Sequence, residues 1–510
     1  MSQSAETQQI KIGRFIQELR EERGVTQKEL ADALRTSQSA VARMEKGEQN
    51  FTTEILSKIS RILNREIITL GSGAINFQIE GGRKLSGKIA VKKSKNSAVF
   101  LLAASLLNAN KTILKDMPRI EEVNRIIEVL TSIGINIRWL DDNDLEITPP
   151  KKLKLEKLDI QAATKTRSVL LLLGPLVHLF KKFELPYPGG CKLGKRTVRP
   201  HLFALENFGV SITASQNRYQ VKASKLKTSA TVVLYELSDT ATGNALMAAA
   251  RIKGETIIKF ASSNYQVQDL CHYLEMIGVK IEGIGTSTLK IYGNPNPNTP
   301  VTFYPSEDPI EAMLFLSIAA TTNSSIEIER CPVDFLEMEL LKLEKMGFRY
   351  QILRSYKSQN GFTNLVDIKT LPSKLKALEE KLHPLPSSAG INIDNLPFFV
   401  PIATQAKGTT LVHDWVYEDR ALYFMELNKL GANVIFADPH RVYIEGKTEL
   451  KGTEIVCPPA LRPGAVILIA MLAARGTSIL RNVYSINRGY EDICGRLNSL
   501  GARIKTIGSL

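Results

Sequence analysis

Between residues 10 and 70 the apolar side chains recur three and four positions apart, which is the spacing of one face of an α-helix. The first such set comprises Ile12, Phe15, Ile16 and Leu19. Thr26 precedes the second set with Glu29 three positions on, a capping-box arrangement, and Ser37 is placed to cap the following helix. The pattern predicts a small all-α domain of four or five helices over residues 1–70, and Gly71-Ser72-Gly73 predicts a linker over residues 71–75.

From residue 85 onward another pattern recurs six times. An apolar helix, a polar turn, a short β-branched strand and an amphipathic helix are followed by a glycine and a further strand. The glycines are 75, 69, 69, 84 and 70 residues apart, and they are Gly134, Gly209, Gly278, Gly347, Gly431 and Gly501. Glycine suits a left-handed helix C-cap, and a unit of about 70 residues exceeds the roughly 20–50 of common solenoids. The pattern therefore predicts six small α/β units.

Composition excludes several classes of protein. A chain of 510 residues with 44% hydrophobic and 23% charged residues can fold into more than one domain and is not disordered. The most apolar stretches, 169–180 and 465–474, are shorter than the roughly 20 residues of a membrane span, so we expect a cytoplasmic protein without a membrane partner. The five cysteines lack CxxC spacing, and we expect no disulfide framework, metal site or cofactor.

The net charge of +14 is unevenly distributed. Residues 1–70 hold 11 Lys and Arg against 10 Asp and Glu, so nearly all of the excess lies in residues 71–510. A basic field there would suit an anionic substrate such as a phosphate ester. A solvated basic surface without a ligand is the alternative.

The N-terminal helices resemble a helix-turn-helix of the phage-repressor (Xre-like) family. The resemblance is carried by Val25-Thr26-Gln27-Lys28-Glu29-Leu30-Ala31 and by Ser39-Ala40-Val41-Ala42-Arg43-Met44-Glu45-Lys46-Gly47. It implies that Gln38, Ser39 and Arg43 reach base edges in the major groove and that Gln27 lies near a phosphate, so DNA is a candidate partner. A helix-turn-helix that makes only protein contacts is the alternative, since its local charge is nearly neutral.

Seven short motifs punctuate the repeats. They are Ser94-Lys95-Asn96-Ser97-Ala98, Lys165-Thr166-Arg167, Pro188-Gly189-Gly190-Cys191-Lys192-Leu193-Gly194-Lys195-Arg196, Asn392-Ile393-Asp394-Asn395, Tyr417-Glu418-Asp419-Arg420, Ala460-Leu461-Arg462 and Asn487-Arg488-Gly489-Tyr490-Glu491. With the sixfold repeat, they resemble the enolpyruvyl transferase family over residues 76–510, and most closely its UDP-N-acetylglucosamine 1-carboxyvinyltransferase branch. The repeat pattern by itself would also fit an α/β repeat protein that only binds partners.

The resemblance implies an α/β fold of two lobes, each built from three βαβαββ-type units. Residues 76–94 with 301–510 would form lobe I, and residues 95–300 would form lobe II with the catalytic loop. The implied reaction moves the enolpyruvyl group of phosphoenolpyruvate to the 3'-hydroxyl of UDP-N-acetylglucosamine and releases phosphate, as a step in peptidoglycan precursor synthesis. Closure of the lobes would assemble the site. The oligomeric state is not predicted.

The implied site residues combine cations, one thiol and one carboxylate. Lys95 lies near a helix N-terminus, which favours a phosphate, and Asn96 would bind substrate beside it. Cys191, in a loop rich in glycine and basic residues that could lower the pKa of the thiol, would be the general acid toward carbon 3 of phosphoenolpyruvate. Arg196 in the same loop would bind its phosphate or carboxylate.

The remaining implied residues precede apolar helices. Asp394 would be the base for the sugar hydroxyl, although Asp is also a favoured N-cap. Arg167 would be a cation of the cleft, Arg420 would contact the carboxylate or uridine side, and Arg462 would bind the carboxylate of phosphoenolpyruvate.

Some positions depart from the family pattern. Arg199, Glu236 and Asn487 stand where the family usually has Asp, Lys and Asp, respectively. The two charge reversals, Arg199 and Glu236, could compensate one another or could indicate a different sugar nucleotide. Two alternatives follow: a regulator that senses a sugar nucleotide without turnover, and the shikimate-pathway enolpyruvyl transferase. The Pro-Gly-Gly-Cys loop argues against the second.

Overall fold

The computed structural model describes residues 8–34, 36–48, 55, 58–59, 62–63, 75–140, 143–189, 197–224, 226–227, 231–385 and 390–508. The chain divides into two compact units, Met1–Ile75 with Gly508–Leu510 and Asn76–Ile507. No helix among these residues is long and apolar enough to cross a membrane.

The small unit contains helices α1 (Gln8–Glu22), α2 (Gln27–Leu34) and α3 (Gln38–Glu45). The amide of Thr26 donates to Glu29 Oε2 at 2.7 Å, and the amide of Glu29 donates to Thr26 Oγ1 at 3.2 Å. Ser37 Oγ accepts from the amide of Ala40 at 3.2 Å. Both predicted caps are therefore confirmed. The apolar pattern beyond residue 48 falls largely outside the described residues.

One buried carboxylate ties these three helices together. Glu45 of α3 accepts from Arg20 Nη2 of α1 at 3.1 Å and from Gln27 Nε2 of α2 at 2.8 Å. Buried charges are tolerated where they are paired and hydrogen-bonded, as here. The apolar side chains packed beside this network include Ile16, Leu30 and Val41.

The large unit contains 22 strands within the described residues. They are β1 (Asn76–Gly81), β2 (Ser86–Ala90), β3 (Thr112–Leu114), β4 (Asn136–Trp139), β5 (Leu145–Thr148), β6 (Lys182–Pro186), β7 (Ser211–Ala214), β8 (Arg218–Lys222), β9 (Thr231–Val233), β10 (Glu255–Lys259), β11 (Lys280–Glu282), β12 (Thr288–Tyr292), β13 (Val301–Phe303), β14 (Ser325–Pro332), β15 (Arg349–Lys357), β16 (Asn364–Leu371), β17 (Gly408–His413), β18 (Asn433–Asp438), β19 (Arg441–Gly446), β20 (Glu454–Val456), β21 (Gly476–Arg481) and β22 (Ile504–Ile507).

The strands form six small sheets that fall into two sets along the chain. The first set, from residues 112–303, has the orders β13-β3-β5-β4, β6-β8-β7 and β11-β12-β10-β9. The second set, from residues 76–90 and 325–507, has the orders β20-β21-β1-β22, β15-β16-β14-β2 and β17-β19-β18. Strand β13 at residues 301–303 pairs in parallel with β3, so it belongs to the first set.

The helices of this unit pack against the sheets. They are α4 (Lys95–Ala104), α5 (Glu121–Ser132), α6 (Ile160–Lys165), α7 (Leu173–Leu176), α8 (Arg199–Glu206), α9 (Asp239–Ala249), α10 (Tyr265–Met276), α11 (Pro309–Thr322), α12 (Glu337–Lys345), α13 (Phe399–Thr404), α14 (Arg420–Phe424), α15 (Leu461–Ala473), α16 (Tyr484–Asn487) and α17 (Ile493–Ser499). Helices α4, α7, α9, α11, α13 and α15, here called the inner helices, are buried over nearly their whole length. Most of their residues are apolar, and a helix of this composition requires burial.

The six glycines of the repeat have left-handed backbones, as predicted. Their φ angles are 101°, 80°, 86°, 85°, 89° and 90° for Gly134, Gly209, Gly278, Gly347, Gly431 and Gly501. Each follows a helix and precedes a strand at the edge of its sheet, namely β4, β7, β11, β15, β18 and β22. The α/β fold of six units is thereby confirmed.

Gly501 offers a test of this backbone requirement, because a Cβ at this position would meet nothing within 4 Å. We expect Gly501→Ala to lower the free energy of unfolding of the large unit by about 1–2 kcal/mol through the left-handed backbone alone. Gly501→Asn should cost less, because Asn tolerates this conformation. Urea denaturation of the three proteins measures the order; equal stability of the Ala variant and the parent would contradict it.

Candidate active site

The starts of several inner helices meet at one cavity of about 700 Å³. The cavity is lined by residues between 95 and 266 on one side and between 385 and 488 on the other. Lys95 lies in the first turn of α4, Asp239 in that of α9 and Arg462 in that of α15. Helix N-termini carry partial positive charge and unpaired amide donors, so this arrangement suits an anionic ligand.

Lys95 and Asn96 are held by an N-cap and by two neighbouring side chains. Ser94 Oγ accepts from the amides of Asn96 and Ser97 at 3.1 and 3.2 Å. Lys95 Nζ lies 2.9 Å from Glu122 Oε2. Asn96 Nδ2 donates to the hydroxyl of Tyr265 at 2.9 Å. The ammonium and the amide are therefore fixed at the cavity wall.

Glu122 is the carboxylate that anchors Lys95. Burial would raise the pKa of Glu122, but the Lys95 ammonium and the hydroxyl of Ser168, which donates at 2.7 Å, outweigh it and lower the pKa to about 2. The carboxylate therefore stays charged and keeps Lys95 in place. Sequence reasoning missed Glu122, because an acidic residue in the first turn of a helix is also an ordinary dipole contact.

Asp394 and Arg462 form an ion pair within the cavity, with Arg462 Nη2 3.3 Å from Asp394 Oδ2. Arg462 Nη1 also donates to the hydroxyl of Tyr490 at 2.7 Å. Burial would raise the pKa of Asp394, but the charges of Arg462, Lys95 and Arg420 lower it below its usual value. Asp394 precedes a 3-10 helix, Leu396–Phe398, for which no side-chain cap is formed.

Arg420 is fully buried behind this pair. Its Nε contacts Asp414, and its Nη2 donates to the carbonyl of Ile393 at 2.7 Å. The guanidinium also lies 4.4 Å from the ring centroid of Tyr417. Arg420 thus fixes the backbone next to Asp394, in addition to lining the cavity.

Of the remaining candidates, Arg167 lines the cavity and its Nη2 donates to the carbonyl of Thr197 at 2.8 Å. Cys191 and Arg196 lie outside the described residues. The structure thus brings together Lys95, Asn96, Arg167, Asp394, Arg420 and Arg462.

The residues that depart from the family pattern do not all lie at the cavity. Glu236 lines the cavity, whereas Arg199 does not, and no ion pair joins these two described residues. Asp239 also lines the cavity and accepts from Asn264 Nδ2 at 2.9 Å and from Gln266 Nε2 at 2.6 Å. Burial raises the pKa of Asp239 despite these donors. Two carboxylates therefore face one side of the cavity.

Within the part of the chain that the structure describes, no group of three or more His, Cys, Asp or Glu side chains is placed to hold a metal ion. In the small unit, α3 exposes Gln38, Ser39 and Arg43. The side-chain nitrogen of Gln27, in contrast, donates to Glu45 within the unit.

Comparisons with known proteins identify the class. Residues 79–497 match the family model of EPSP synthase (3-phosphoshikimate 1-carboxyvinyltransferase), and residues 16–70 match a helix-turn-helix model. The chain therefore belongs to the enolpyruvyl transferase family and carries a helix-turn-helix domain of a DNA-binding class ahead of it.

Similar proteins narrow the branch. The chain is 35% identical over 442 residues to UDP-N-acetylglucosamine 1-carboxyvinyltransferase of Bradyrhizobium diazoefficiens, covering 85% of this chain and 98% of that protein. It is 33% identical over 434 residues to the protein of the same name from Borreliella burgdorferi, covering 85% and 99%. The fold is similar to that of the enolpyruvyl transferase NikO from Streptomyces tendae, with a TM-score of 0.73 and 23% identity over 86% of this chain and 100% of that chain.

The low pKa of Glu122 predicts a pH-dependent contribution to stability. A carboxylate with a pKa of about 2 in the folded chain and about 4.3 in the unfolded chain stabilises the fold by about 3 kcal/mol above pH 4.3, and this contribution is lost as the pH falls. Glu122→Gln should be less stable by about that amount at pH 7, and the difference should shrink toward pH 3.5. Ser168→Ala should show a smaller difference of the same sign. Urea denaturation across this pH range measures both, and a pH-independent difference would contradict the assignment.

Proposed function

We propose that the large unit transfers the enolpyruvyl group of phosphoenolpyruvate to the 3'-hydroxyl of UDP-N-acetylglucosamine, releases phosphate, and supplies a peptidoglycan precursor. The observation that supports this most directly is the cavity that is lined by the cations Lys95, Arg167 and Arg462 together with the carboxylate of Asp394. A substrate that carries both a phosphate and a carboxylate needs more than one cation, and an attacking hydroxyl needs a base.

The reaction is an addition followed by an elimination. The 3'-oxygen of the sugar bonds to carbon 2 of phosphoenolpyruvate, while carbon 3 gains a proton and the hydroxyl loses one. Carbon 3 then returns a proton, the double bond re-forms and inorganic phosphate leaves. The phosphate gains negative charge as its bond to carbon 2 breaks in the elimination, so fixed cations beside it lower that barrier.

Lys95 and Arg167 are assigned to the phosphate, with Asn96 beside it, and Arg462 to the carboxylate of phosphoenolpyruvate. Asp394 is assigned to the proton of the sugar hydroxyl. The pKa of Asp394 is lowered, despite burial, by Arg462 and Lys95, which are also the cations assigned to bind the substrate's anionic groups. Binding of an anion to Arg462 and Lys95 offsets their charge, so the pKa of Asp394 rises and the carboxylate becomes a better base.

Cys191 is assigned as the proton donor to carbon 3, and the flanks of its loop support this. A Cβ on Gly189 would lie 1.6 Å from the carbonyl oxygen of Thr164, so only glycine allows this close approach. On the other flank the carbonyl of Thr197 accepts from Arg167. Gly189 and Thr197, the described residues on either side of 190–196, therefore both lie beside residues 164–167, and Arg167 is itself in the cavity wall.

Glu236 and Asp239 limit where the acceptor substrate can bind. Both carboxylates line the cavity and would repel a nearby phosphate. A diphosphate acceptor must therefore place its charges near the cations of the opposite wall.

Turnover is tested by release of inorganic phosphate from phosphoenolpyruvate with UDP-N-acetylglucosamine or 3-phosphoshikimate as acceptor. We expect release only with the sugar nucleotide and a loss of about 10²–10⁴-fold in kcat for Cys191→Ala, because general acid catalysis contributes about that much. Cys494→Ala is the matched control, because the Cys494 thiol is half-buried and does not line the cavity. A chain that lacks residues 1–72 should retain turnover.

Each other outcome selects an alternative. Tight binding of the sugar nucleotide without phosphate release would support a regulator without turnover. Release with 3-phosphoshikimate alone would place the chain in the shikimate branch. Full activity of Cys191→Ala would remove the thiol from the mechanism.

We propose that the protein has a second function, binding of duplex DNA by the small unit. The helix-turn-helix match and the exposed side chains of α3 support this proposal. Gln38, Ser39 and Arg43 are assigned to base edges. Gln27 is assigned to a phosphate through its backbone amide, since its side-chain nitrogen donates to Glu45.

Arg43→Ala should weaken binding to a duplex selected from a random pool by about 1–3 kcal/mol, the value of one base contact. Fluorescence anisotropy at one fixed salt concentration measures the affinity, because phosphate contacts make it salt-dependent. Gln17→Ala on α1, whose side chain donates to Glu21, is the control. Equal affinity of Arg43→Ala and the parent would favour protein contacts as the role of α3.

A further inference from the structure

Two short segments connect the two sets of sheets, residues 91–95 and residues 303–309. They run antiparallel and pair with each other: the amide of Ser94 donates to the carbonyl of Ser306, and the amide of Asp308 donates to that of Lys92, both at 2.8 Å. Each segment leads directly into an inner helix, α4 or α11. Because Lys95 is the first residue of α4, its position depends on this paired crossing.

A buried ion pair lies at the centre of the crossing. Lys93 Nζ is 2.8 Å from Glu307 Oε1, and the two side chains are 2% and 1% exposed. Arg330 Nη2 also donates to Glu307 Oε1 at 2.8 Å. A buried pair of charges is stable only where further hydrogen bonds and packing keep water out. The hydroxyl of Ser358, which donates to Glu307 Oε1 at 3.1 Å, supplies one such bond.

Ser358 belongs to the longest hairpin of the described chain. Its strands β15 and β16 span nine and eight residues, whereas the other five edge strands that follow the repeat glycines span three to six. The extra length accounts for much of the 84-residue interval between Gly347 and Gly431, the widest in the repeat. It carries the turn at residues 358–363, here called the hairpin tip, to the crossing.

The hairpin tip contacts the crossing and the first set of sheets together. Asn360 Nδ2 donates to Ser306 Oγ at 3.3 Å, and Ser306 Oγ lies 2.9 Å from Thr363 Oγ1. The ring of Phe362 lies 4.0 Å, centroid to centroid, from that of His272 on α10. Phe362 also packs against the buried core formed by residues 98–303.

We propose that the hairpin tip is a positioning element for the transferase reaction: it holds the two crossing segments in register and so fixes Lys95 at the cavity wall. A hairpin of the second set of sheets reaches over the connection and packs its Phe362 into the first set, while its Ser358 completes the buried Lys93–Glu307 pair. The expected effect on catalysis rests on the proposed function. The structural dependence of the two crossing segments on the hairpin tip does not.

Phe362→Ala tests the coupling in the full chain, with Ile352→Ala as the matched control, since Ile352 lies on the same hairpin and is 50% exposed. Hydrogen–deuterium exchange of peptides covering residues 91–95 and 303–309 should be about tenfold faster in Phe362→Ala and unchanged in Ile352→Ala. At equal concentrations of folded enzyme, Phe362→Ala should have a lower kcat and a higher KM for phosphoenolpyruvate than the parent. Its kcat/KM should be about tenfold lower. Phe362→Leu should restore most of both.

Unchanged exchange at both crossing segments in Phe362→Ala would overturn the proposal, as would equal acceleration in Ile352→Ala. If Phe362→Ala fails to fold, the same exchange measurement is made on Ser358→Ala. Faster exchange at the crossing segments would support the proposal, and unchanged exchange would overturn it. Faster exchange in a chain without turnover would leave the coupling supported and would instead count against the proposed function.

Discussion

The inner helices of the large unit are built mostly from apolar residues and are buried over nearly their whole length. Because burial of an unpaired charge is costly, their charged residues lie in the first turn of each helix. Its N-terminus presents unpaired amides and a partial positive charge. The cavity lies where these ends meet, and its lining includes Lys95, Asp239 and Arg462 in the first turns of α4, α9 and α15, and Asp394 just before a 3-10 helix.

The cations of the cavity are paired with carboxylates before any substrate arrives. Lys95 faces Glu122, Arg462 faces Asp394 and Arg420 faces Asp414. Burial of a cation without a partner would be costly, so the pairs stabilise the unliganded fold. They also set the chemistry: the partners of Lys95 and Arg462 have pKa values below the usual range, and an incoming anion would share these cations with them. The same pairs therefore serve stability and prepare the cavity for an anionic ligand.

In the small unit, too, a buried charge is paired with partners from other helices. Its three described helices leave few apolar side chains for a core, and one carboxylate, Glu45, receives bonds from two other helices. This network occupies the side chain of Gln27, while Gln38, Ser39 and Arg43 stay exposed. The inward and outward faces of α3 are therefore separated clearly, with packing on one face and recognition assigned to the other.

Features that depend on neighbours along the chain could be predicted from the amino-acid sequence. The caps at Thr26 and Ser37, the repeat glycines with positive φ, and the placement of Lys95 and Arg462 at helix starts all follow from local spacing. A family resemblance added Asp394, Arg167 and Arg420 to one site, and the structure brings them to one cavity. Their chemical roles stay proposals.

Contacts between groups that are distant in the chain depend on how the units pack, and could not be predicted in this way. Glu122 reaches Lys95, Tyr490 reaches Arg462 and Ser358 reaches Glu307 across separations that leave no periodic signal in the sequence. The hairpin tip shows the same limit: the long interval before Gly431 marks an insertion, but not the place that the insertion contacts. Local hydrogen bonds and burial patterns are encoded over a few residues, whereas pairings across the fold depend on how the six units pack, which no short segment specifies.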